Sequence, residues 1–269
     1  MSKVWLIASG KGGVGKSTVT AALGMALSLQ ERRVCIVDTD IGLRDQDALL
    51  GLSDRVVYDL LDVIAKRCTL RQALLSPDGL PRLTLLPAAQ FARCKELDAR
   101  PFLRIIQELR LTQDEVLIDC PAGIEKGLRA ALQSRADEAI VLCTPDDVCI
   151  RDVDRTAHLL MDKQLPKPWL IVNRLVPDLI RSGEMYTAQT VSDTLDLPLL
   201  GEVPEDAAVY RALLQHRSLM TVDCEARNAL LRIARRMTDH EVPLPAYGTD
   251  RLPWYRRLRR RAPEKLPLV

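Results

Sequence analysis

Short apolar runs alternate along this chain with longer amphipathic stretches. The runs fall at residues 4–8, 34–37, 83–86, 116–118, 139–142, 169–172 and 199–203, each bounded by turn residues, and most are apolar at every position. A strand that is apolar on both faces must be buried on both, as in a parallel sheet covered by helices. Between the runs, helices are expected near 17–30, 57–66, 99–109, 125–135, 150–163, 183–195, 207–215 and 224–237. The alternation predicts an α/β fold, a largely parallel twisted sheet with helices on both faces. In such sheets ligands bind outside the carboxyl ends of the strands, so the residues that follow each run are the ones to inspect.

The first run leads straight into Ser9-Gly-Lys-Gly-Gly-Val-Gly-Lys-Ser17 and then a helical stretch. Gly10, Gly12 and Gly15, with Asp38 downstream, fit the dinucleotide pattern G-x-G-x-x-G, while Gly10 and Gly15 followed by Lys16-Ser17 fit the triphosphate loop G-x-x-x-x-G-K-[ST]. A pyrophosphate held by backbone N–H groups needs no cation, whereas a triphosphate carries charge that a lysine and a metal ion must offset. Lys16 supplies the first and the Ser17 hydroxyl suits the second, so the triphosphate reading is preferred. Gly10, Lys11, Gly12, Gly13, Val14, Gly15, Lys16, Ser17 and Thr18 are the candidate phosphate-binding residues of a phosphate-loop (P-loop) NTPase.

Acids follow two further runs. Asp38 and Asp40 come after the second and Asp119 after the fourth, all at one predicted sheet edge. Asp119 matches the second metal-holding element of phosphate-loop enzymes, on Mg²⁺ directly or through water, and Asp38 and Asp40 are each candidates for the metal or the attacking water. Any one of them also reads as a helix cap; three at one edge are not explained that way. Asn173-Arg174, after the sixth run, offers amide donor and acceptor to a purine edge, and is equally compatible with an Asn turn.

At 269 residues, 47% apolar and a net charge of +2, the chain can bury one sizeable core. No run approaches the roughly 20 apolar residues that span a bilayer, and no charged leader precedes the first strand, so a cytoplasmic protein is expected. The seven cysteines form no C-x-x-C pair and read as buried free thiols.

The pattern changes after residue 240. Prolines and a glycine at 241–250 suggest a linker, and 251–269 is an arginine-rich tail. Wound as a helix, Leu252, Trp254, Tyr255 and Leu258 gather on one side and most arginines on the other, which suits an anionic membrane surface. A disordered basic tail on nucleic acid is the rival.

These phrases together resemble one family. Lys11-Gly-Gly-Val-Gly-Lys16 marks the deviant Walker A ATPases, with Lys11 as the signature lysine. Asp38-Thr-Asp-Ile-Gly-Leu-Arg44, Asp119-Cys-Pro-Ala-Gly-Ile-Glu125, Ile150-Arg-Asp-Val-Asp-Arg155 and Gly201-Glu-Val-Pro-Glu-Asp206 are similar to the septum-site-determining (MinD) branch, and the likeness runs from about residue 3 to 237. By that resemblance Lys11 reaches across an ATP-bound homodimer, Lys16 contacts its own nucleotide, and Ser17 ligates Mg²⁺. Asp40 and Asp119 sit in two switch regions and serve catalysis with the two lysines. Asn173 reads the adenine, with Arg174, Pro204 and Glu205 lining the base pocket. Arg44, Arg151, Asp152 and Asp154 meet partners, a MinC-like inhibitor and a MinE-like activator. Thr144-Pro-Asp146 departs from the Asn-Pro-Glu of the family pattern.

The resemblance implies a slow, partner-stimulated ATPase: a dimerisation switch that binds the membrane, recruits a division inhibitor and is released by hydrolysis, with nucleic acid not expected as a partner. Partition-type or flagellar-number ATPases of the same superfamily are the alternative; iron–sulfur carriers would need paired cysteines.

Overall fold

The computed structural model describes residues 2–90, 98–123, 131–215, 217–239 and 241–244. Seven parallel strands form one sheet: β1 (Lys3–Ser9), β2 (Val34–Asp38), β3 (Leu83–Leu86), β4 (Glu115–Asp119), β5 (Glu138–Cys143), β6 (Trp169–Leu175) and β7 (Leu199–Pro204), in the order β3-β2-β4-β1-β5-β6-β7. Each expected run is a strand, and nearly every strand residue is buried, which is why the runs lack alternation. The strand order reverses around β1, placing the loop after β1 at the switch point where such sheets bind ligands.

Helices complete the layers. Lys16–Leu29 is buried on almost every side between the sheet and the helix Glu225–Thr238. In Ala99–Thr112 the buried residues are Phe102, Ile105, Ile106 and Leu109, one stripe at helical spacing. At the amino ends of the strands, Trp5 is fully buried and its Nε1 donates to Glu115 Oε2 at 2.8 Å, while Arg32 pairs with the other oxygen at 2.7 Å.

Three helical expectations change. The helix expected at 183–195 is confined to Ala188–Leu195, under a Thr187 cap, and a separate helix, Pro177–Ser182, ends at Gly183 (φ 83°). Gly183 closes a helix in the left-handed region rather than opening one. The stretch 57–66 shortens to Leu60–Ile64, because Asp59 and Asp62 form a reciprocal capping box. Of 125–135, residues 125–130 lie outside the described residues, and 132–134 is a single 3-10 turn.

Cys35, Cys120, Cys143 and Cys149 are buried free thiols, as expected; Cys68 and Cys224 are half-buried and free, and Cys94 lies outside the described residues. No helix among the described residues is long and apolar enough to cross a membrane. The linker and tail, with Leu252, Trp254, Tyr255 and Leu258, lie outside the described residues, apart from the first few linker positions.

Candidate functional site

The loop between β1 and the helix Lys16–Leu29 needs its glycines for two reasons. Gly13 and Gly15 have φ of 79° and 91°, conformations that side chains resist. A Cβ on Gly15 would also lie 2.6 Å from Nδ2 of Asn173, the group that donates to the Val14 carbonyl at 2.8 Å. No side chain caps the helix that follows, so its positive end is available to an anion.

The two lysines of the loop have opposite surroundings. Lys16 is 6% exposed and pairs with Asp119 at 2.5 Å. Burial opposes its charge, but the Asp119 carboxylate outweighs burial and holds the ammonium above its ordinary pKa. Lys11 is 35% exposed and pairs with Asp146 at 3.0 Å, which raises its pKa. Asp146 also accepts from Cys149 N (2.9 Å) as the cap of the helix Asp147–Asp162, and from the Thr144 hydroxyl (2.5 Å).

Asp38 and Asp119 are register partners at the ends of β2 and β4. The Asp119 carboxylate accepts from Lys16, the Thr20 hydroxyl (3.3 Å) and the Gln46 amide (2.7 Å). Asp38 accepts from the backbone N–H groups of Asp40 (2.9 Å) and Gln46 (3.4 Å). Burial, reinforced by the neighbouring Asp119 charge, pushes the Asp38 carboxyl well above the usual range. Asp40 is half-buried; burial raises it too, against the pull of Lys16. Ser17 lies beside this group, its hydroxyl 3.4 Å from the Lys16 ammonium.

Two hollows adjoin the loop. One, of about 120 Å³, is lined by Thr18, Asn173, Arg174, Pro204, Glu205 and Tyr210 among others, so the expected base-pocket residues do meet. The other, of about 400 Å³, spans Lys11 to Val14, Thr144 to Asp146 and Arg174.

Comparison with known proteins agrees with this geometry. Residues 5–219 match the CobQ/CobB/MinD/ParA nucleotide binding domain. The chain is 41% identical over 248 residues to the septum site-determining protein MinD of Bacillus subtilis, covering 91% of this chain and 92% of that one. The chain belongs to the MinD family. In structure it is similar to the MinC:MinD cell division protein complex of Aquifex aeolicus (TM-score 0.85, 34% identity, 91% of this chain and 99% of that one). It is also similar to MinD complexed with Mg-ADP from Pyrococcus horikoshii (TM-score 0.79, 30% identity, 89% and 97%). This MinD-family chain is an ATPase of the phosphate-loop fold with a role in septum placement.

Nucleotide and magnesium suit these residues. Among the described residues no three acidic, histidine or cysteine side chains are grouped as a metal cage. One hydroxyl and one or two carboxylates are what a magnesium ion needs when waters and phosphates supply its other oxygens.

The remaining expected residues are scattered around the rim. Arg44, in the left-handed region (φ 52°), folds back onto Asp47 at 3.0 Å. Arg151 and Asp154 are exposed and Asp152 half-buried on the helix Asp147–Asp162, whose Val153, Ala157 and Leu160 face the core. Gln46 and Tyr210 are not singled out by the sequence, and Asp146 stands out there only as a departure from the family pattern, not as the partner of Lys11. As an acid opening an amphipathic helix, Asp146 also carries a capping signal.

The state of Asp38 has a measurable consequence. The unfolded chain releases this proton at the ordinary carboxylate pKa and the folded chain holds it to higher pH, so the group's contribution to stability falls as pH rises between the two values. Asp38→Asn cannot titrate and retains an acceptor for Asp40 N–H. It is expected to match the natural chain near pH 4 and to exceed it at pH 7.5 by on the order of 1 kcal/mol. Urea unfolding of both proteins across that range checks the sign.

Proposed function

We propose that this MinD-family ATPase is a nucleotide-controlled dimerisation switch on the inner face of the cell membrane, which recruits a MinC-like inhibitor there and is discharged by a MinE-like activator. The observation that carries the reading is the division of labour between the two loop lysines. Lys16 is enclosed with Asp119 inside its own subunit, whereas Lys11 stands at the rim on an exposed ion pair that is easily exchanged.

Lys16 and the loop N–H groups would hold the phosphates, with Ser17 and Asp119 toward magnesium and Asp40 toward the attacking water. Magnesium supplies neutralisation of phosphate charge there. Binding requires Lys16 to exchange its carboxylate partner for phosphate oxygens, which frees Asp119 and couples ligand to the β4 end. Lys11, leaving Asp146, would neutralise the phosphates of a second subunit, since two facing phosphate chains repel unless cations lie between them. Thr18, Arg174, Pro204 and Glu205 would surround the base, and Asn173 supports the same pocket by holding the loop at Val14.

Membrane residence would follow from dimerisation. A single short amphipathic helix binds weakly, while two on one particle gain roughly 10²–10⁴ in avidity when both reach the surface. The MinC:MinD complex of Aquifex aeolicus supports a MinC-like partner, and the exposed charges of Arg151 and Asp154 offer it a contact.

Co-sedimentation with anionic vesicles tests the proposal. ATP is expected to bring the full chain down with the vesicles and ADP to leave it in solution, and truncation after Tyr247 should abolish the ATP effect. Lys11→Ala should stay monomeric with ATP in light scattering. Equal sedimentation in ATP and ADP, or duplex DNA bound as tightly as vesicles at physiological salt, overturns the reading.

A further inference from the structure

Gln46 is wholly buried at the start of the short helix Gln46–Leu49, against the group just described. Its Nε2 donates to the Ser17 carbonyl at 3.0 Å and to Asp119 Oδ2 at 2.7 Å. Both partners only accept, so the two bonds decide which end of the amide is nitrogen. Its backbone N–H donates to the second acid, Asp38. One residue therefore spans both strand-end carboxylates and the first turn of the phosphate-binding helix.

The other end of the amide is unmatched. Oε1 is buried and accepts no hydrogen bond from any described residue. A buried amide oxygen without a donor is costly, and an apolar side chain of the same shape would avoid the cost. The donors that share Asp119 with Gln46 bond elsewhere: the Lys16 ammonium to Asp119 and the Ser17 hydroxyl, and the Thr20 hydroxyl to the Lys16 carbonyl or to Asp119 itself. The donor that Oε1 lacks is most simply a water, and a magnesium ion held through one hydroxyl and phosphates brings waters with it.

We propose that Gln46 is a positioning residue of the magnesium–nucleotide site, its Nε2 fixing Asp119 against Ser17 and its Oε1 accepting a hydrogen bond from a water of the cation's shell. The inference rests on the nucleotide-and-magnesium reading above and adds a residue to it. When Lys16 turns to phosphate, Gln46 is the group that keeps Asp119 aimed. Outer-shell partners of this kind commonly change metal affinity by about 10–100-fold when removed.

The test uses the full chain with ADP and Mn²⁺ as a paramagnetic probe. Gln46→Leu, and Gln46→Met as a second variant that preserves the length of the side chain, should weaken Mn²⁺ binding to the ADP complex about tenfold by electron paramagnetic resonance. ADP affinity in EDTA should stay within about twofold, since no phosphate contact is lost. Two results would overturn the proposal: Mn²⁺ affinity unchanged in a folded variant, or ADP affinity in EDTA reduced as much as in Mn²⁺, the mark of a merely structural amide. If the natural chain itself takes up no Mn²⁺ with ADP, the nucleotide-and-magnesium reading fails, and the proposal falls with it. A variant that folds only when ADP is present would still be read by its Mn²⁺ affinity.

Discussion

Replacing Lys16 with Met is expected to remove nucleotide binding and, independently, to destabilise the empty protein by about 3–5 kcal/mol at pH 8. The second effect follows from burial. Lys16 is 6% exposed and Asp119 1%, so the substitution strands a carboxylate in the interior beside Asp38. The amide of Gln46 and the hydroxyl of Thr20 remain as donors, but neither carries charge. For a chain of this size about 3 kcal/mol corresponds to a fall in Tm of roughly 6–12 °C.

Lys11→Met is the comparison, because it breaks an ion pair of similar length that is one-third to one-half exposed, and it should cost no more than about 1 kcal/mol. Denaturant unfolding at pH 8, with an ADP titration alongside, checks both effects. Equal stability of the two variants would mean that the Lys16–Asp119 pair does not hold the empty loop.

The difference between these lysines was only half legible in the sequence. Strand, glycine loop and helix put Lys16 at the mouth of a helix, and an acid closing an apolar run put Asp119 at the same edge. Both inferences rest on strong local patterns, and the buried parallel strands that carry them read as nearly unbroken apolar runs. The partner of Lys11 was not legible in the same way, since Asp146 lies 135 positions away and meets it only because β1 and β5 are neighbours. Gln46 was hidden for another reason: it sits in a four-residue helix, too short to show a period, and nothing local in a glutamine says that it is buried. The start of the stretch 183–195 was misplaced because Gly183 ends the preceding short helix Pro177–Ser182, and periodicity does not tell a glycine that closes one helix from one that opens the next.

Gly10→Ala is expected to destabilise the protein by about 2–3 kcal/mol and to slow ATP hydrolysis by about a hundredfold, although an alanine is among the smallest changes available. Gly10 does not occupy the left-handed region, so its backbone would tolerate a side chain. Space is what it lacks: a Cβ there would lie 2.4 Å from the carbonyl carbon of Asp152, 2.5 Å from its Cβ and 2.7 Å from its oxygen. Two of these atoms are backbone of the helix Asp147–Asp162, which is anchored by Val153, Ala157 and Leu160 in the core and cannot swing aside cheaply. Either the helix shifts or the loop does, and a shift of the loop displaces Lys11 and the N–H groups that follow. Gly12→Ala is the matched control, since its Cβ would meet nothing closer than 4.0 Å and its φ is also outside the left-handed region; its stability should change by no more than about 0.5 kcal/mol. If the two variants unfold at the same denaturant concentration, the close approach of loop and helix carries no weight. If they differ as expected, the close contact between the loop bearing Lys11 and the helix bearing Arg151, Asp152 and Asp154 stabilises the fold, and the two elements leave each other no room to shift independently at Gly10.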